Sequence, residues 1–192
     1  DGADVLVADA RDTAALRSAL GASSFDSVID FVAFTEQHVA DDLETFAGRT
    51  GQFVFISSAS AYQKPVAHLP ITESTPLRNP FWQYSRDKIA AEDLLVRAYR
   101  ESAFPMTIVR PSHTYDQTKV PIGGWTVVER MRAGKPVIVP GDGTSLWTVT
   151  HASDFARAFV ELLGRQDVLG EAFHITREDA MPWDAIYRTI AH

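Results

Sequence analysis

Three apolar runs of strand length constrain this chain more than anything else: SVIDFVAF at 27–34, GQFVFISS at 51–58 and MTIVRP at 106–111. Each is nearly continuous in apolar character, as strands are when both faces are covered. Helical patterns lie between and after them. Val39, Leu43 and Phe46 share one face of a predicted helix over 36–46, and a longer helix is predicted over 81–101. Buried strands alternating with amphipathic helices specify an α/β fold, a doubly wound parallel sheet.

The remaining elements follow from the same signals. A strand is predicted at 4–9 and a helix at 13–20, with Asp12 as its N-cap. Gly48 and Gly51 mark the turn before the second run; they precede a strand, so they read as a turn and not as a phosphate cradle. Four prolines make 59–80 a long loop, and loops of that length are usually functional or mobile. Further along, 111–122 reads as a loop, 126–133 as a helix stopped by Gly134, and 136–139 and 146–150 as short strands around a Gly141-Asp142-Gly143 turn. His151 or Ser153 caps a helix to about 163. A strand at 171–175 and a helix at 183–190 close the chain.

Composition narrows the function classes. The 192 residues suffice for one domain with a sizeable core. A net charge of −7 argues against a broad nucleic-acid surface, which needs clustered Lys and Arg. There is no cysteine, hence no disulfide frame, thiolate metal site or thiol nucleophile. No metal is expected. No apolar run approaches the ~18 residues of a membrane span, and the opening Asp-Gly-Ala-Asp carries no signal-peptide pattern, so the cytoplasm is the expected compartment.

The chemistry concentrates at Tyr84-Ser85-Arg86-Asp87-Lys88. Tyr and Lys four apart on a helix lie on one face. A phenol ordinarily ionises near ~10, and an ammonium beside it is expected to lower that value. The strand ending in Ser57-Ser58 would bring a hydroxyl to hold an alcohol or carbonyl oxygen while the phenol exchanges its proton. A strand, a Tyr/Lys helix and another strand form a βαβ unit, and open parallel sheets bind ligands at the strands' carboxyl ends.

Taken in order, ADARD (8–12), VIDFVA (28–33), FISSASAY (55–62), Tyr84-x-x-x-Lys88, Val109-Arg110-Pro111-x-x-x-Tyr115 and Gly141-Asp-Gly143 before His151-Ala-Ser-Asp154 resemble the extended short-chain dehydrogenase/reductases, the NAD-dependent epimerase/dehydratase family. The resemblance implies a Rossmann-like sheet over 1–115 that binds NAD or NADP. Residues 116–192 would then be a mixed region, partly a small C-terminal substrate-binding lobe and partly a return to the sheet. It implies Tyr84 as catalytic acid/base, with Lys88 tuning it and holding the nicotinamide ribose, and Ser58 as the catalytic hydroxyl. Asp9 would meet the adenine amino group. Phe31, Val32, Ala33 and Thr35 would follow the cofactor, Ser57 would line the nicotinamide site, and Pro111 and His113 would pass beside it. Ser58, Ser60, His113 and Trp147 would face a small, sugar-like substrate. The residues alone read equally well with Asp9 as a strand end and Phe31 as core.

Three departures from the family pattern shape the expectation. No G-x-x-G-x-x-G fingerprint exists among the eleven glycines, so the chain reads as starting at the third strand, without the ~50–60 residues that would carry it. It also reads as stopping early in the substrate lobe. Trp147 stands where sugar-nucleotide members carry an Arg, and an indole cannot neutralise a diphosphate; it is either a stacking face or core. His113 stands where many of those members have Asn. The resemblance extends to an atypical branch that includes chloroplast stem-loop-binding proteins, so RNA binding on the same scaffold is the competing reading. Apolar residues on several faces of 89–99 (Ile89, Leu94, Leu95, Val96, Tyr99) permit the homodimer common in the family.

Overall fold

The computed structural model describes residues 2–121 and 123–192. In chain order the elements begin α1 (Thr13–Leu20), β1 (Val28–Asp30), α2 (Glu36–Phe46), β2 (Phe53–Ile56), a 3₁₀ turn (Ala59–Ala61), α3 (Gln83–Ser102) and β3 (Met106–Pro111). They continue β4 (His113–Tyr115), α4 (Gly124–Arg132), β5 (Leu146–Trp147), β6 (Val149–His151), α5 (Ala152–Val160) and a second 3₁₀ turn (Gln166–Val168). Last come β7 (Ala172–Ile175), β8 (Met181–Pro182) and α6 (Trp183–Ala191). Among the described residues no helix is long and apolar enough to cross a membrane.

The chain divides into two compact units, Asp1–Arg110 with Leu162–His174, and Pro111–Glu161 with Ile175–His192. The first unit holds a four-stranded sheet in the order β1-β2-β3-β7. β1 pairs in parallel with β2 from Val28↔Phe53 to Asp30↔Phe55, and β2 with β3 from Phe53↔Met106 to Ile56↔Val109. Every residue of β2 is buried. Phe53 and Phe55 pack with Met106 and Ile108 of β3, Val39 and Phe46 of α2, and Ala91 and Leu95 of α3. This is the Rossmann-like α/β architecture expected of buried parallel strands with crossover helices.

Several ends form where the sequence signals put them. Asp12 caps α1 by accepting from the Ala15 N–H, and Thr35 caps α2 by accepting from the His38 N–H. His151, not Ser153, is the cap of α5, its ring nitrogen accepting from the Ser153 N–H.

Other expectations need correction. Residues 4–9 form no strand; Val5 and Val7 are exposed, and no neighbouring backbone pairs with them among the described residues. An apolar run without a partner strand has no ladder to join. The run at 27–34 is a strand only to Asp30, whose carboxylate accepts from the N–H groups of Val32 and Ala33 and turns the backbone. Residues 136–139 form no strand either: Val137 and Val139 pack on the second unit's core while Ile138 is exposed. The long loop is pinned by Gln63 N–H to Pro76 C=O (2.8 Å) and Lys64 N–H to Arg78 C=O (2.7 Å).

The second unit is built on two small ladders. β4 pairs in parallel with β6, and β5 antiparallel with β8. Its core is Val127, Val149, Trp183, Ile186 and Tyr187. β4 lies inside the segment read from sequence as a loop; its three residues, all half-buried, are too few to show a period.

Candidate active site

Residues 84, 88 and 92 recur every four along α3, so they share one face. That face turns inward: Lys88 and Glu92 are each 1% exposed. The Lys88 ammonium donates to the carbonyl oxygens of Ala33 (2.6 Å) and Ile56 (2.7 Å), at the carboxyl ends of the first two strand segments. It also sits 4.6 Å from the Phe55 ring centroid and 5.1 Å from that of Phe34. Burial lowers its pKa to about 8, against the pull of Asp30 and Glu92.

Tyr84 is half-buried between two aromatic rings, Phe34 at 6.5 Å and Trp82 at 4.8 Å between centroids. Burial raises its pKa, and a hydrogen bond with Ser58 opposes that rise. Here the structure departs from expectation. The amine was expected to make the phenol more acidic, yet Lys88 commits two of its N–H donors to carbonyls and approaches Tyr84 through the ring, 5.8 Å from the centroid. In this arrangement the phenol keeps its proton.

Ser58 begins the 3₁₀ turn after β2, its Oγ accepting from the Ser60 N–H at 3.1 Å. Ser57 points the other way. It is 2% exposed, and its hydroxyl donates to Glu92. Glu92 in turn is paired with the buried guanidinium of Arg110, whose Nε lies 3.0 Å from Oε1. The Ser57 side chain is therefore a strut behind the site and does not line it.

The other expected positions fall in different settings. Asp9 is exposed and accepts from the Arg11 N–H at 2.8 Å, a local turn contact. Phe31 and Val32 are 56% and 46% exposed, so Phe31 is not core, whereas Ala33 is fully buried. The Thr35 hydroxyl is engaged in capping α2. Ser60 is half-buried on the turn that Ser58 opens. In the second unit Pro111 ends β3. His113 lies on β4 with a buried Nε2 that has no partner among the described residues, and burial lowers its pKa. Trp147 on β5 packs against Trp183, centroids 5.1 Å apart, with 40% of its surface exposed.

The first unit thus brings together Ser58, Tyr84 and Lys88, with Phe34 and Trp82 flanking the phenol. Sequence reasoning missed Phe34, Trp82, Glu92 and Arg110. Glu92 could have been found, since it continues the 84–88 spacing by one more turn. The chemistry of this surface fits a nicotinamide dinucleotide. Phe31, Val32, Phe34 and Trp82 leave apolar surface open beside hydroxyl donors, and an ammonium carries three donors, of which Lys88 uses two.

Known proteins are similar to this chain in sequence and in fold. The sequence is 28% identical over 173 residues to 2'-dehydrokanamycin reductase of Streptomyces kanamyceticus, covering 87% of this chain and 48% of the relative. It is also 28% identical over 187 residues to chloroplast stem-loop binding protein of 41 kDa b of Arabidopsis thaliana, covering 97% and 47%. The chain spans about half the length of these relatives.

In fold it is similar to dTDP-glucose 4,6-dehydratase from Bacillus anthracis in complex with NAD (TM-score 0.81, 19% identity, 95% of this chain and 61% of that one). It is likewise similar to a short-chain dehydrogenase/reductase superfamily protein from Agrobacterium tumefaciens with bound NAD (TM-score 0.79, 19% identity, 99% and 71%). Residues 39–176, which run from α2 through the Tyr84 helix to the end of β7, match the model of the NAD dependent epimerase/dehydratase family, and the chain belongs to that family.

Proposed function

We propose that the protein is an NAD(P)-dependent oxidoreductase, epimerase or dehydratase acting on a secondary alcohol or ketone of a sugar-like molecule. The observation that carries this reading is Tyr84, half-buried on the same face of α3 as the buried Lys88, whose ammonium lies 5.8 Å from the phenol ring centroid and is anchored at the end of the strand that leads into Ser58. A bound nicotinamide ring supplies or accepts the hydride. The chain's own part is proton traffic and orientation. Ser58 holds the reacting oxygen, and Tyr84, which keeps its proton, donates it to a ketone oxygen on reduction and takes it back on oxidation. Lys88 would hold a ribose hydroxyl with its third N–H and, by joining the carbonyls of Ala33 and Ile56, keeps the two loops at a fixed separation.

The test is NAD(P)H oxidation with 2'-dehydrokanamycin, alongside NAD reduction with UDP-glucose, in full-length protein and in Tyr84→Phe. Loss of roughly 10²–10⁴ in kcat with an unchanged melting temperature supports the role of a general acid/base. Undiminished turnover in the variant sinks it.

The similarity to a stem-loop binding protein supports a second reading, RNA binding on this scaffold. The net charge of −7 weighs against it, because phosphate contacts need cations. A gel shift of a stem-loop RNA at low and moderate salt separates the two; retention that falls with salt favours RNA.

A further inference from the structure

Deepening that reading, and resting on it, we infer that Arg11, Asp30 and Asp42 are positioning residues for the cofactor: a latch on loop 31–34 that is closed while Asp42 holds a proton and loosened when Asp42 gives that proton up. Asp30 grips the loop directly. Its Oδ1 accepts from the N–H groups of Val32 (2.5 Å) and Ala33 (2.8 Å). Lys88 holds the same loop through the Ala33 carbonyl (2.6 Å). Between these two grips the loop leaves Phe31, Val32 and Phe34 exposed.

One cation here serves two acids. Arg11 Nη2 lies 2.9 Å from Asp30 Oδ2 and 3.5 Å from Asp42 Oδ1, and both acids are buried, at 7% and 3% exposure. Two buried carboxyl groups beside one guanidinium are not both ionised, because the second charge has no partner. The donors decide which one keeps its proton. Asp30 has three. Asp42 has only the long contact to Arg11, and its Oδ2 has no partner among the described residues. Asp42 is therefore the neutral acid; burial first, then Asp30, push its pKa up to about 8, with Arg11 opposing. Arg11 also has Nε and Nη1 buried without partners among the described residues. An ionised Asp42 recruits those unused donors, since a charge-assisted bond is stronger than none. The guanidinium then turns from Asp30 to Asp42, and Asp30 loses the countercharge that holds it ionised and aimed at the loop. The other charged groups nearby are Lys88 and its neighbour Glu92 on α3, and Asp41 and His38 on α2, His38 accepting from the Phe34 N–H at 3.1 Å.

Two measurements on the full-length protein decide it. The first is the affinity for NADH against pH. Above pH 8 the competent fraction falls about tenfold per pH unit for each proton the bound state requires. Lys88, whose pKa is also about 8, accounts for one proton and Asp42 for the second. The slope of log Kd against pH should therefore approach two in wild type. In Asp42→Asn, an amide of the same shape that cannot ionise, it should approach one. Equal slopes overturn the inference while leaving Tyr84 chemistry standing. The second is hydrogen exchange without cofactor. Corrected for base catalysis, protection of the Val32 and Ala33 amides should fall as pH rises through 8 in wild type, by about tenfold per unit at the limit, and hold nearer level in Asp42→Asn. Level protection in wild type overturns the latch, and needs no variant to fold. An equal fall in both proteins assigns the change to Lys88 and overturns the latch as well. If wild type binds no NADH at any pH, the cofactor reading fails instead, and exchange still decides the latch.

Discussion

The Lys88 ammonium donates to the carbonyl oxygen of Ile56 across 2.7 Å, tying the helix that bears Tyr84 to the strand that ends just before Ser57. A second bond to Ala33 makes it a bridge between two loops of the site. A lysine 1% exposed is a costly way to hold two carbonyls, and its pKa of about 8 reflects that cost.

Replacing it tests the bridge. Lys88→Met keeps the stem and removes the donors, leaving two carbonyls that each cost about 1–3 kcal/mol if buried without a partner. Activity should fall roughly 100-fold, the scale of displacing a reacting group by about 1 Å. The pH dependence of stability gives an independent check. The folded lysine releases its proton near pH 8, whereas its ordinary pKa is 10.5. Between those values the unfolded chain binds more protons, so this group makes stability rise with pH across that window. Urea unfolding at pH 8 to 10.5 should show the rise in wild type and lose it in the variant.

A second pH signature comes from Asp42, which burial and the neighbouring Asp30 push up to about 8, with Arg11 opposing. Asp30 is itself buried. Its hydrogen bonds and the Arg11 charge nonetheless hold it below the usual carboxylate range. The folded Asp42 keeps a proton that the unfolded one loses near 3.8, so its contribution is present at acid pH and fades as pH rises through 8. Asp42→Asn should remove up to about 1.4 kcal/mol of slope per pH unit in that window. An unaltered stability profile between pH 4 and 8 would contradict this account.

How much of this was legible in the sequence follows from the range of each interaction. β2 and α3 were readable because burial on both faces and four-residue spacing leave local patterns. The cap at Asp12 was readable, and that of α5 was narrowed to His151 or Ser153, because a cap bonds within three residues. The strand at 4–9 failed because strand formation needs a partner, which no local window reveals. The extent of β1 failed because Asp30 bends the backbone with its own side chain. Lys88 was found, but its partners were not: Ala33 lies 55 residues away and Ile56 lies 32 away. The acidity assigned to Tyr84 went wrong for the same reason, since the amine's preferred acceptors are distant in sequence.

Glu92 and Arg110 form a buried ion pair that also holds the Ser57 hydroxyl. Removing one partner of such a pair strands the other, at about 3–5 kcal/mol. Glu92→Ala should therefore unfold at much lower urea than wild type. Glu92→Gln, which can still accept from Ser57, should lose less. The paired variant Glu92→Met/Arg110→Met should recover most of the stability while KM for cofactor rises, because the turn at Ser57-Ser58 loses its strut. Equal losses in all three variants would argue against the pair.

The two tryptophans of the second unit separate packing from recognition. Trp183 is 6% exposed and lies in the core with Val127, Val149, Ile186 and Tyr187. Trp147 stacks on it, tilted 31°, and stays 40% exposed on a two-residue strand paired with β8. Truncating a buried Trp typically costs about 3–5 kcal/mol. For a chain of this size each kcal/mol moves the melting temperature by roughly 2–4 °C. Trp183→Ala should thus lower the melting temperature by about 6–20 °C, the product of those ranges. Trp147→Ala leaves Trp183 in place and removes mainly an exposed face, so its thermal cost should be small while KM for a sugar substrate rises several-fold. A large drop in melting temperature with unchanged KM for Trp147→Ala would make it a core residue, because a stacking face for ligand must be dispensable to the fold that presents it.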